Sequence, residues 1–64
     1  MGSGRYADSA LVCREAISCA RVAGAPAEEA RALNMLGSDL VALGQAEEGL
    51  ASLREAISLA RQAG

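Results

Sequence analysis

The chain has 64 residues, with eight acids against six bases for a net charge of −2. It is 52% apolar, yet it lacks His, Phe and Trp and holds Tyr6 as its only aromatic. Without imidazole there is no ordinary nucleophile–base pair or histidine zinc site, and without aromatics there is no platform on which nucleic-acid bases stack.

The bases are all arginine (Arg5, Arg14, Arg21, Arg31, Arg54, Arg61) and stand singly along the chain, so no basic patch forms to hold a phosphate backbone. A chain of this size buries only about 60% of its unfolded surface when it folds alone. Fifteen of its residues are alanine, which offers little area, so self-association or cover from a longer parent protein is expected.

Residues 1–3 are set apart as an added or disordered lead-in, and residues 4–64 are expected to form one unit. The first helix is predicted at about 5–23, where Ala10, Cys13, Ile17 and Ala20 recur at three- and four-residue steps. Arg14, Ser18 and Arg21 form its opposite strip, and Gly24 stands where a left-handed residue ends a helix. The second helix is predicted at about 26–43. Pro26 suits its first turn, Glu28 and Glu29 suit the positive end of its dipole, and Ala30, Leu33, Leu36, Gly37 and Leu40 form its apolar set.

Gly44 closes that helix, and a third is predicted at about 46–63 with Leu50, Leu53, Ile57 and Ala60 opposite Arg54, Ser58 and Arg61. Connections of two or three residues make neighbours antiparallel. The expected fold is all-α, with three antiparallel helices.

The first and third helices are copies. A shift of forty residues lays Gly4–Gly24 on Gly44–Gly64 with ten of twenty-one positions identical. The densest match sets Arg14-Glu15-Ala16-Ile17-Ser18 on Arg54-Glu55-Ala56-Ile57-Ser58. One unlike segment, Ala25 to Leu43, lies between them, so the order is B, A, B.

With Leu33, Leu36-Gly37 and Leu40 on the A helix, Gly44 in the turn, and Gly49, Leu53 and Ala56 on the B helix, the chain resembles a tetratricopeptide repeat. Gly4, Tyr6, Ser9, Cys13 and Ala16 occupy the corresponding B-helix places in the first copy. The family's usual aromatics are replaced by Leu and Cys, and Arg61 stands where it closes with Pro. The forty-residue period is similar to a longer variety found in LuxR-type transcription regulators and regulatory ATPases of high-GC bacteria, and the all-Arg, Ala-rich usage agrees with such a source.

The resemblance implies a protein-interaction scaffold in which the A helix lines a concave face. The residues facing it here are Arg31, Asn34, Met35, Ser38 and Val41, a set suited to a peptide carboxylate or backbone. Each repeat buries its face only when a neighbour covers it, and here both B helices lack one neighbour. Apolar surface is therefore expected at Ala10, Cys13 and Ile17 at one end and at Leu50, Leu53 and Ile57 at the other. A homodimer or higher oligomer, with or without exchanged helices, follows from that surface.

Cys13 and Cys19 lie six residues apart, about 9 Å along a helix and about 240° around it, so they do not bridge each other. Their counterparts Leu53 and Leu59 mark both as packing positions. Glu28-Glu29 and Glu47-Glu48 fall in first helical turns, where adjacent side chains point about 100° apart, so they are solvated terminal acids and not a catalytic pair. No catalytic residue, metal ligand set or cofactor is expected.

No apolar run approaches the length of a membrane span and no signal pattern opens the chain, so a soluble, cytoplasmic setting without membrane or nucleic-acid partners is expected. The leading expectation is a non-enzymatic protein-interaction or self-assembly module. Its rivals are a DNA-binding three-helix domain of a transcription regulator and a dimeric thiol-based metal or redox site.

Overall fold

A computed structural model describes residues 3–63 of the chain as three helices and two short connections. They are α1 (Ser3–Ala23), α2 (Pro26–Ala42) and α3 (Ala46–Ala63). Helix α1 begins at Ser3, so the expected lead-in at residues 1–3 gives its last residue to the helix, while Met1 and Gly2 lie outside the described residues. Helix α2 ends at Ala42, one residue short of the expected boundary, because Leu43 already belongs to the closing turn. Among the described residues there is no strand, and the fold is all-α.

Both connections are glycine-closed helix ends of one kind. Gly24 and Gly44 adopt φ of +66° and +87°, the left-handed region that a side chain resists. Ala25 N–H donates to the Ala20 carbonyl at 2.9 Å and Gly24 N–H to the Arg21 carbonyl at 3.2 Å. Gln45 and Gly44 repeat the pattern onto Leu40 and Val41 at 2.8 and 3.1 Å. These bonds satisfy carbonyls that a helix end leaves open, and they reverse the chain within two or three residues. Pro26 then starts α2 at no cost in donors, and Glu29 N–H reaches the Ala25 carbonyl at 3.0 Å.

Helix α2 is the middle layer. It packs against α1 on one side and α3 on the other, while the backbones of α1 and α3 stay apart. The core joins Ala10, Cys13 and Ile17 of α1, Ala32, Leu33, Leu36 and Leu40 of α2, and Ala56 of α3, with half-buried Leu59 against it. Burying a leucine stabilises by about 1.5–3 kcal/mol, so the three leucines of α2 supply much of the cohesion.

The α2–α3 crossing is set by the absence of side chains. A methyl on Gly37 would fall 2.8 Å from the Gly49 carbonyl oxygen, and one on Gly49 would fall 2.7 Å from that of Gly37. Leu53 fills the space beside Gly37, and Val41 covers Gly49.

The assembly measures 36 × 20 × 13 Å, a slab and not a closed bundle. Its accessible surface is 4368 Å², against about 3,800 Å² for a compact monomer of this mass.

Candidate interaction surface

The two copies, α1 and α3, turn different sides of their shared pattern toward α2. On α1 the stripe Ala10, Cys13, Ile17 and Ala20 is buried against α2, each residue 5–6% exposed. Forty residues later the same stripe on α3 is Leu50, Leu53, Ile57 and Ala60. There Leu50 is 51% and Ile57 56% exposed, Ala60 is open and Leu53 is only half-buried. Helix α3 instead turns Gly49, Ala56 and Leu59 toward α2. Their counterparts on α1, Ser9, Ala16 and Cys19, are half-buried, exposed and exposed.

This corrects one end of the expected self-association surface. Ala10, Cys13 and Ile17 are not open, because α1 lays that stripe on α2 and its other side is the one without a neighbour. The large apolar residues α1 leaves to solvent are Tyr6, Leu11, Val12 and Val22. Cys19 is exposed for the same reason, although its counterpart Leu59 packs on the core. At the other end Leu50 and Ile57 stand open, with Leu53 partly turned under α2.

Arg31, Asn34, Met35, Ser38 and Val41 all lie on the exposed face of α2. Arg31 and Asn34 open onto a shallow groove shared with Ala56, Ile57 and Ala60 of α3, about 330 Å³ in volume. Val41 borders α3 at Gly49, whereas Met35 lies outside that groove. Arg31 and Asn34 of that set therefore share a rim with Ile57 and Ala60 of the α3 stripe.

Charged side chains tie the outer helices across α2. The Arg21 Nε donates to Glu29 Oε2 at 2.7 Å, and its Nη2 reaches Glu55 Oε2 at 3.4 Å. The Arg14 Nη2 lies 3.6 Å from Glu48 Oε2. Hydrogen bonding to Glu29, with that carboxylate's charge, raises the Arg21 guanidinium further above its ordinary value. Both arginines are seven residues apart and so are both α3 acids, which fixes α1 and α3 as parallel. The equal spacing of Arg14 to Glu48 and Arg21 to Glu55 is visible in the sequence, but it becomes legible only once the two copies are known to lie side by side. Under the forty-residue shift Arg54 and Arg61 stand where Arg14 and Arg21 stand, and among the described residues neither makes an ion pair.

A further polar contact was not anticipated. The Cys13 thiol lies 4.0 Å from Oδ2 of Asp39, which is 9% exposed in the α1–α2 contact. Burial pushes the Cys13 thiol up, the Asp39 charge adds to this, and the Ser9 hydroxyl partly offsets both. The thiol is thereby kept protonated and unreactive.

Among the described residues no three Cys, Asp or Glu side chains gather as a metal site, and no helix is long and apolar enough to cross a membrane. No protein-family model, curated protein or solved structure matches the chain.

Proposed function

We propose that this chain is a non-enzymatic helical interaction module, similar in plan to one and a half tetratricopeptide repeats, whose working surface is the uncovered face of α3. One observation carries the reading. A stripe that is buried on α1 recurs on α3, with leucine in place of Ala10 and Cys13, and is left largely open there, Leu50 and Ile57 being more than half exposed.

A monomeric soluble domain has little reason to keep such a face, because contiguous apolar surface marks a contact site. The adjoining rim of Arg31 and Asn34 gives the face a polar border, as interaction sites usually have. In a solution of the pure protein the nearest available cover is a second copy, so the module self-associates through α3, and a protein or peptide partner takes the same face when present.

Light scattering across a concentration series tests this. The reading expects a mass that rises from one chain toward two as concentration reaches the high micromolar range, and a Leu50→Glu/Ile57→Glu protein that stays at one chain with its helicity intact. A wild-type mass of one chain throughout removes the self-assembly part.

A further inference from the structure

The α1–α2 contact holds a carboxylate that the chain itself leaves poorly supplied. Asp39 is 9% exposed, and among the described residues no arginine pairs with it. Among those residues its side chain accepts only from the Cys13 thiol, a weak donor at 4.0 Å. It also stands in the last turn of α2, where the helix dipole disfavours an anion and no basic residue offsets it. Burial, the missing cation and the dipole all act against this charge. Places where folding physics is overruled in this way are where function is expected.

The carboxylate is not sealed in. It forms one wall of an open pocket of about 340 Å³, and the other walls are Arg5, Tyr6 and Ser9 of α1. Tyr6 is the only aromatic of the chain, and Arg5 borders the pocket without forming an ion pair with Asp39. Under the forty-residue shift Arg5, Tyr6, Ser9 and Cys13 become Gln45, Ala46, Gly49 and Leu53. The charge, ring, hydroxyl and thiol therefore belong to α1 alone and are not part of the plan the two helices share.

We infer that this pocket binds a free amino acid with an apolar side chain, its ammonium held by Asp39 and Ser9, its carboxylate by Arg5 and its side chain by the ring of Tyr6. A lone carboxylate beside a hydroxyl suits an ammonium, which brings three donors and one positive charge. A hard divalent metal needs several oxygen ligands, and the pocket supplies a single carboxylate. A simple amine would leave the Arg5 guanidinium without an anion, whereas a zwitterion answers both charges. The rest of the wall is chiefly hydrocarbon, from the Tyr6 ring and the stem of Arg5, so the side chain it takes is apolar. The site is built by α1 and α2 and does not depend on how α3 is used.

Titration of the full chain with L-leucine, N-acetyl-L-leucine and L-leucinamide, followed by two-dimensional NMR of the backbone amides, tests this. L-Leucine is expected to shift the signals of Tyr6, Ser9 and Asp39 saturably, with a Kd of about 1 mM, as suits a small ligand in an open pocket. N-Acetyl-L-leucine lacks the ammonium and should bind at least about tenfold more weakly. Arg5→Gln should weaken L-leucine and leave L-leucinamide, which has no carboxylate, unchanged. Asp39→Asn should abolish binding of both, yet raise the Tm of the ligand-free protein, because it removes a buried charge that has no partner.

The inference is overturned by the absence of a saturable shift with L-leucine up to its solubility limit, by equal binding of the acetylated form, or by binding that survives Asp39→Asn. A Tm lowered by Asp39→Asn would overturn it as well, since the chain itself would then be satisfying the carboxylate.

Discussion

Gly37 and Gly49 face each other across the α2–α3 crossing so closely that a methyl group on either would sit 2.7–2.8 Å from the other's carbonyl oxygen. Because the obstacle is backbone, no rotamer change relieves it, and the helices must separate. The gain from a better helix former is about 1 kcal/mol. Overpacking costs about 1–3 kcal/mol, and here it acts where the crossing is tightest.

Gly37→Ala and Gly49→Ala are therefore expected to lower stability, with a fall in Tm of about 4–8 °C for each net kcal/mol lost in a domain of this size. Thermal unfolding followed by circular dichroism checks this. A Tm raised by either change would mean that the helices do not cross at this point.

The ion pairs give a contrast between equivalent residues. Arg21 has two acidic partners and Arg61 has none among the described residues. Arg21→Gln is expected to lower the Tm more than Arg61→Gln at low salt, with the gap narrowing as salt is added, because exposed pairs are weak and screened. Equal effects of the two substitutions would contradict the observed pairing.

The thiols should behave as two classes. Cys19 is exposed and should react with a disulfide reagent at once, whereas Cys13 should react only as the chain opens. The raised pKa of Cys13 also has a sign in stability. The folded state holds this proton more tightly than the unfolded state, so the contribution is complete below the usual thiol value of about 8.5 and is lost as pH rises above it. A Cys13→Ala protein should lose less stability than the wild type between neutral and alkaline pH. Parallel pH profiles, or two thiols that react alike, would show that Cys13 is not enclosed by α2.

The elements were legible because their signals are local. Gly24, Pro26 and Gly44 punctuate the chain, and the spacings of Leu33, Leu36 and Leu40 or of Leu50, Leu53 and Ile57 mark helical faces. Which face a helix buries is not local. The pattern of α1 offers two apolar sides, and nothing within it says that Ala10, Cys13 and Ile17 meet α2 while Val12 and Cys19 meet solvent. The apolar stripe on α3 was legible from Leu50, Leu53 and Ile57 at helical steps. The Cys13–Asp39 contact was not, since a carboxylate in the last turns of α2 looks like a solvated residue until α1 is laid across it.

One stripe, present twice, is covered on α1 and left largely open on α3, where only Leu53 reaches under α2. Matched substitutions at equivalent positions test it most directly: thermal unfolding of Ile17→Glu and Ile57→Glu, each at a concentration where light scattering gives a single chain. Ile17→Glu places a charge in the α1–α2 contact and is expected to cost more than about 4 kcal/mol, enough to unfold a chain this small. Ile57→Glu should keep full helicity and stay within about 0.5 kcal/mol of the wild type. Comparable loss in both proteins would contradict the account, because it would mean that α3 is covered by its own chain.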